Sequence, residues 1–210
     1  MKKVLIPTDF FFFFSNAVEF AIESAKERPM EITLLHAFEL KGSMYTDYMG
    51  VNKEFNQLQL DDIRHRLHAM ATEIEKDHGI LVKTMVITDT LDNTIRLVTS
   101  AEKFDFIMMG TVGAGESPNR FLSTKTGAEI GKTDTPILVI PQEYKWCKPF
   151  TILFATNHFE EDAAILDAIF ELATLFAARV QVVIFTDEEN DTPYTFLDHT
   201  LTLPRYDETL

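Results

Sequence analysis

Asp105-Phe106-Ile107-Met108-Met109-Gly110-Thr111-Val112-Gly113 is the stretch of sequence that decides the fold. A short, unbroken apolar run of this kind is typical of a strand buried on both faces of a sheet. We therefore predict a strand over Phe104–Gly110. Taken alone, the glycines at its end predict a tight turn, because glycine adopts backbone angles that other residues avoid.

Similar apolar runs occur on both sides of this strand. They predict four further strands, over Lys3–Pro7, Glu31–Phe38, Ile80–Ile87 and Pro136–Pro141. Apolar residues at helical spacing predict helices between them, over Ser15–Glu27, Val51–His78, Leu91–Lys103 and Ser123–Lys132. Strands that alternate with helices indicate an α/β fold: an open, parallel, five-stranded, doubly wound sheet with helices on both faces.

A repeat follows this first unit. Leu153-Phe154-Ala155-Thr156-Asn157 corresponds to Leu5-Ile6-Pro7-Thr8-Asp9, and the next strand repeats at the same offset of 148 residues. We predict a complete domain over residues 1–141, a linker over 142–149 and an incomplete second copy over 150–210, made of a βαβ unit and a tail.

Composition restricts the possible partners. The formal net charge is −14, so the chain as a whole repels a phosphate backbone and we expect no nucleic-acid partner. No apolar run is long enough to cross a bilayer, and the first residues do not form a signal peptide, so we expect no membrane partner. The single cysteine, Cys147, fits a reducing compartment, and we expect a cytoplasmic protein.

The sequence resembles the universal stress protein family. The resemblance rests on four motifs in the expected order, Val4–Asp9, Leu34–Ala37, Asp105–Gly113 and Thr135–Pro141. It covers residues 1–141, and the repeat over 149–186 resembles tandem members of the family with a truncated second copy. The resemblance implies a fold of the adenine-nucleotide α-hydrolase type, and it makes a ligand site at the glycines more plausible than a bare turn.

Members of that family that bind ATP carry a glycine, two residues, a second glycine, nine residues, and then a third glycine followed by serine or threonine. Gly110 and Gly113 match this pattern, but Ser123 stands at the third glycine position, before Thr124. A serine adds a β-carbon where the backbone approaches phosphate, although its hydroxyl can also donate to phosphate. The second copy has Asn157 where the first has Asp9 and lacks the glycine loop, so we expect no nucleotide there.

The resemblance also implies where a nucleotide would lie. The residues near the nucleoside would be Pro7, Thr8 and Asp9. Those at the adenine pocket would be Ala37, Met109, Gly110 and Gly113, and those near the phosphates would be Ser123, Thr124 and Lys125. The ligand would be ATP or another adenine nucleotide, with or without Mg²⁺, bound beyond the strand carboxyl ends.

Two further features leave alternatives open. Phe10–Phe14 is a run of five phenylalanines at the mouth of this pocket, and it could form a lid or a partner-docking patch, exclude the nucleotide, or supply core residues. His65 and His68 lie at i and i+3, a spacing that zinc sites use. No further ligand cluster accompanies them, so a solvated helix face is the better interpretation.

Three functions follow from the resemblance. The first is a stress-response sensor that binds an adenine nucleotide, and the second is a non-binding member that acts through dimerisation and protein interaction. The third is, at most, a slow nucleotide hydrolase, because Asp9 has no recognisable catalytic partner. We expect no catalytic or metal-ligating residues, and we expect a homodimer that pairs through the edge strand 136–141.

Overall fold

The computed structural model describes residues 1–8, 16–40, 51–111, 132–141, 143–156, 163–184 and 199–201. The chain divides into two compact units, Met1–Trp146 and Cys147–Leu210. Within the described ranges, no helix is both long enough and apolar enough to span a membrane.

The first unit contains the predicted alternation of strands and helices. Its described elements are β1 Lys2–Pro7, α1 Asn16–Glu27, β2 Met30–Ala37, α2 Val51–His78, β3 Leu81–Ile87, α3 Leu91–Ala101, β4 Phe106–Thr111 and β5 Ile137–Pro141. The predicted helix over Ser123–Lys132 lies outside the described residues, apart from Lys132.

The five strands form one sheet in the order β3-β2-β1-β4-β5, and every pair is parallel. The prediction of an open parallel sheet is therefore confirmed. The chain moves from β1 to β2 and β3 on one side and then returns to β4 and β5 on the other. The carboxyl ends of β1 and β4 consequently lie at a topological switch point, where open α/β sheets leave a crevice.

Apolar residues alternate between the two faces of β1. Leu5 is fully buried in a cluster that α3 covers with Ile95 and Val98. Val4 and Ile6 point to the opposite face, since successive side chains of a strand alternate, and both are also fully buried. Both faces of the central strand are thus covered, which explains why its sequence is apolar without interruption.

Ion pairs join β1 and β2 to their neighbours near the amino ends of the strands. Lys2 Nζ lies 2.8 Å from Asp105 Oδ1, and the main-chain N–H of Lys3 donates to Asp105 Oδ2 at 2.7 Å. Lys3 Nζ also pairs with Glu102. On the other side, Lys83 Nζ lies 2.7 Å from Glu31 Oε1. These contacts lie at the amino ends of the strands, whereas the switch point lies at the carboxyl ends, so their role is structural.

The end of the first unit packs on α1. Phe20 meets Trp146 edge-on, with ring centroids 4.9 Å apart, and also contacts Tyr144. Asn16 Nδ2 donates to the carbonyl oxygen of Pro141 at 2.8 Å. This part of the predicted linker therefore packs with the first unit, and the only tryptophan of the chain reports on that unit.

The second unit contains β6 Thr151–Thr156, α4 Ala163–Phe176, β7 Arg179–Ile184 and β8 His199–Leu201. β6 and β7 are parallel, whereas β8 pairs antiparallel with β7. Ile152 is paired with Val180, and Val4, 148 positions earlier, is paired with Ile32 in the same way. The strand β8 was not predicted.

Candidate functional site

Main-chain hydrogen bonds hold the carboxyl edge of the first sheet together beyond the ends of its strands. The N–H of Thr8, the first residue after β1, donates to the carbonyl oxygen of Leu35 at 2.8 Å. The N–H of Phe38, the first residue after β2, donates to the carbonyl oxygen of Ile87 at 2.8 Å. The first residues after β1 and β2 are therefore each hydrogen-bonded to a neighbouring strand, Thr8 at the switch point and Phe38 farther along the same edge.

A side chain fixes the same point from the second strand. The Nδ1 atom of His36 lies 2.7 Å from the main-chain carbonyl oxygen of Thr8. Because a carbonyl oxygen only accepts, Nδ1 must carry the proton. His36 was not among the predicted site residues. Its position near the end of β2 was the signal that it would lie near the site.

Three of the predicted nucleotide-site residues share one face of the sheet. Pro7 is two residues beyond Leu5, and Ala37 is two residues beyond Leu35, so both side chains point to the face covered by α3. Met109 belongs to the same apolar cluster and is 4% exposed. Pro7 and Ala37 are half-buried, so they form the rim above that cluster.

Gly110 stands next to this rim on the neighbouring strand. It is exposed, lies near the carboxyl end of β4 and is paired with Ile140. Without a side chain, it leaves room for a ligand to approach the backbone. The structure thus brings Pro7, Thr8, Ala37, Met109 and Gly110 to one edge. The other predicted site residues, Asp9, Gly113, Ser123, Thr124 and Lys125, lie outside the described residues, as does Phe10–Phe14.

An ionised carboxylate follows β3 at the same edge. Asp89 accepts hydrogen bonds from Asn93 Nδ2 at 3.0 Å and from the N–H of Thr90 at 2.6 Å. These bonds, first from Asn93 and then from Thr90, lower the pKa of Asp89. The Thr90 hydroxyl in turn caps α3 by accepting from the N–H of Asn93. Asp89 was not among the predicted site residues.

Metal ligands are not clustered in the part of the chain that the structure describes, where no group of three or more His, Cys, Asp or Glu side chains is found. His65 and His68 are both exposed on α2. The arrangement at the switch point is instead an apolar rim with exposed backbone beside it. Such a rim suits a flat, partly apolar ring that carries hydrogen-bonding groups.

Comparison with known proteins fixes the family. The model of the universal stress protein family matches residues 1–141. The chain belongs to the universal stress protein family. The matched range ends with β5, so it includes the whole five-stranded sheet.

Two relatives illustrate the similarity. Universal stress protein MJ0577 of Methanocaldococcus jannaschii is 26% identical over 160 residues, which cover 68% of this chain and 96% of the relative. Its solved structure superposes with a TM-score of 0.51 at 24% identity, covering 69% of this chain and 98% of the other. UspA from Lactobacillus plantarum gives a TM-score of 0.52 at 18% identity, covering 66% and 97%. At this level of identity the structures support the universal stress protein fold and no more.

Proposed function

We propose that this universal stress protein binds an adenine nucleotide, with ATP as the first candidate, and acts as a stress-response sensor rather than as a fast enzyme. The observation that carries the proposal is the convergence of Pro7, Thr8, Ala37, Met109 and Gly110 at the switch point between β1 and β4. Ligands of open α/β sheets bind at this position.

The described residues suit the nucleoside part of the ligand. Ala37 and Pro7 would contact the adenine ring above the apolar cluster that includes Met109. The hydrogen bond from His36 holds the carbonyl of Thr8 in place. The next residue in the sequence, Asp9, would accept from ribose or adenine. The carboxylate of Asp89 disfavours an anion near β3, so the phosphates should lie toward β4.

The phosphate end of the proposal rests on the glycine motif. Gly110 and Gly113 would begin the loop, and Ser123, Thr124 and the backbone of Lys125 would hold the phosphates. Backbone N–H groups at such a loop favour anions locally, in spite of the net charge of −14. Mg²⁺ would arrive with the phosphates, because it binds oxygen ligands and retains several waters.

Mass spectrometry of the purified protein tests this proposal, first native and then denatured. We expect a co-purifying adenine nucleotide that Asp9→Asn reduces at least ~10-fold, since a charged hydrogen bond contributes about 1.5–3 kcal/mol. The matched control is Asp105→Asn, which alters the same side chain at the opposite edge of the sheet. An empty protein that also shows no ATP binding by calorimetry would refute the proposal.

A second candidate function is protein interaction through β5. This strand lies at the edge of the first sheet, and an edge strand offers unpaired backbone groups to another chain. In this alternative, residues 136–141 of two chains pair to form a homodimer that needs no nucleotide. Light scattering of the nucleotide-free protein distinguishes the cases, because a monomer at all concentrations is incompatible with the homodimer.

A further inference from the structure

The residues that follow β5 lie against α1 as a strap. We use this name for residues 143–146, the last residues of the first unit. Exposure alternates along the strap, because Tyr144 and Trp146 are half-buried whereas Glu143 and Lys145 are exposed. A period of two is typical of a segment that lies with one side on a surface. The two aromatic side chains of the strap therefore face the first unit, and the two charged ones face solvent.

One aromatic ring of α1 receives both aromatic residues of the strap. Phe20 is buried, and its ring centroid lies 4.9 Å from that of Trp146 at an interplanar angle of 75°. The ring of Tyr144 lies 5.9 Å from the same phenylalanine and is tilted against it. Tilted and edge-on aromatic pairs at these separations attract each other beyond the apolar area that they bury. The strap is therefore docked on α1 by specific ring contacts.

A side chain one helical turn before Phe20 fixes the start of the strap. Asn16, the first residue of α1, donates from Nδ2 to the carbonyl oxygen of Pro141 at 2.8 Å, and the same Nδ2 lies 3.4 Å from the carbonyl oxygen of Tyr144. The N–H of Tyr144 also donates to the carbonyl oxygen of Pro141, at 3.0 Å. The turn between β5 and the strap is thus closed by the side-chain amide of Asn16.

The bond between Asn16 and Pro141 joins the two segments that flank the proposed nucleotide site. In the sequence, residues 9–15 lead from β1 to Asn16, and they begin with Asp9. Pro141 is paired with Thr111, which directly follows Gly110 at the carboxyl end of β4. A nucleotide at the switch point would contact the end of β1 and the end of β4. The strap and the nucleotide would therefore hold the same two segments.

We propose that docking of the strap and binding of the nucleotide favour each other, a regulation of the site that rests on the proposed function. When two contacts order the same segments, the first to form lowers the entropic cost of the second. The coupling is reciprocal, so each contact strengthens the other by the same factor. The second unit begins at Cys147, directly after Trp146. The state of the site is thereby passed to the connection between the two units.

Calorimetric titration of the full-length protein with ATP tests the first direction of the coupling. Trp146→Ala removes the ring that meets Phe20 and should weaken ATP binding roughly fivefold. Trp146→Phe keeps a ring at this position and should restore most of the affinity. Lys145→Ala, on the solvent side of the strap, is the matched control and should bind as the unaltered protein does. A strap that only stabilises the unit would lower the urea midpoint of Trp146→Ala and leave its affinity unchanged.

Hydrogen exchange of the Tyr144 amide tests the reverse direction. This N–H donates to Pro141, so its exchange reports the opening of the turn that starts the strap. Saturating ATP should slow it by the factor by which Trp146→Ala weakens ATP binding. Asn16→Ser keeps a residue that begins helices well, but its hydroxyl is too short to reach both carbonyls, so the effect of ATP should be lost. The amide of Gly79, at the end of α2, should be unaffected by ATP.

The outcomes separate the coupling from the proposed function. Equal ATP affinity for Trp146→Ala and the unaltered protein, with Tyr144 exchange that ATP does not slow, would overturn the coupling and leave nucleotide binding intact. Faster Tyr144 exchange with ATP would overturn it as well, because the two contacts would then oppose each other. If the unaltered protein binds no ATP, the proposed function fails and the coupling fails with it. If Trp146→Ala does not fold, the exchange comparison with Asn16→Ser decides.

Discussion

The imidazole of His36 donates a hydrogen bond from Nδ1 to the main-chain carbonyl oxygen of Thr8 across 2.7 Å. The bond joins β2 to the residue that follows β1, directly before Asp9. It works together with the N–H of Thr8, which donates to Leu35. Both main-chain polar groups of Thr8 are thereby held by β2.

Replacing His36 should loosen this start of the site. His36→Leu removes the donor, and one net hydrogen bond of about 1 kcal/mol corresponds to roughly fivefold weaker nucleotide binding. His36→Asn is the matched control, because its amide can donate from a similar position and should restore most of the affinity. Calorimetric titration with ATP measures the change, and hydrogen exchange at the Thr8 amide reports the loosening. Equal affinity for all three proteins would show that this contact does not support the site.

Removing the carboxylate of Asp105 should change stability in a pH-dependent way. Partial burial favours the neutral acid, but the hydrogen bonds from the side chain of Lys2 and the N–H of Lys3 outweigh it and lower the pKa of Asp105. A lowered folded-state pKa stabilises the fold above the ordinary value of 3.8, and this contribution is lost as pH falls through the folded-state pKa.

Asp105→Asn should therefore lower the free energy of unfolding at pH 7 by about 1 kcal/mol or less, because the pair is partly exposed. The difference should shrink below about pH 4. Urea unfolding at several pH values, followed by Trp146 fluorescence, measures it. The control is Asp77→Asn on the exposed side of α2. A deficit that persists unchanged at pH 3 would argue against an electrostatic origin.

Leu5 and Leu153 form a matched pair for testing how the two units differ. Leu5→Ala empties space beside Ile95 and Val98, so the unfolding free energy of the first unit should fall by about 2–5 kcal/mol. Leu153→Ala removes a side chain that is 60% exposed and should change stability by less than about 0.5 kcal/mol. The unfolding transition followed by Trp146 fluorescence should move to lower denaturant concentration for Leu5→Ala but not for Leu153→Ala. Similar losses for both variants would contradict the described burial.

Removing one partner of the ion pair between Glu31 and Lys83 should destabilise the fold more than replacing both partners. The Glu31 side chain is 8% exposed. Lys83 Nζ lies close to its Oε1, yet that oxygen receives no hydrogen bond of acceptable geometry, so the attraction is chiefly between charges. Lys83→Met should destabilise the fold by about 1–2 kcal/mol, since it removes the ion-pair partner of a buried carboxylate. Adding Glu31→Gln should recover most of that loss in thermal unfolding, and a further additive loss would refute this account.

The sequence predicted the first unit well because its elements follow strong periodic patterns. Helix α2 begins at Val51 and ends at His78, as predicted, and Gly79 follows with a φ of 66°, a conformation that suits glycine after a helix. β4 begins at Phe106 instead of Phe104. Phe104 is buried although it precedes the strand, and its apolar side chain made it look like a strand residue in the sequence.

Short elements and side-chain contacts were harder to predict. β8 has three residues, His199–Leu201, too few to show a pattern, and its pairing with β7 depends on tertiary contact. The edge that gathers Pro7, Ala37 and Gly110 followed from strand order and the family resemblance. The hydrogen bond from His36 to Thr8 did not, because spacing along the chain does not reveal the rotamer of a side chain.

The central position of β1 has a consequence for biosynthesis. β1 pairs with β4 across 102 positions of sequence, as the contact between Lys3 and Asp105 illustrates. At roughly 5–20 residues per second, a ribosome needs on the order of 10 s to supply the second strand after the first. During that interval the apolar strand can pair with β2 alone, on one side. The other side of β1 therefore has to wait for its partner strand until translation reaches β4.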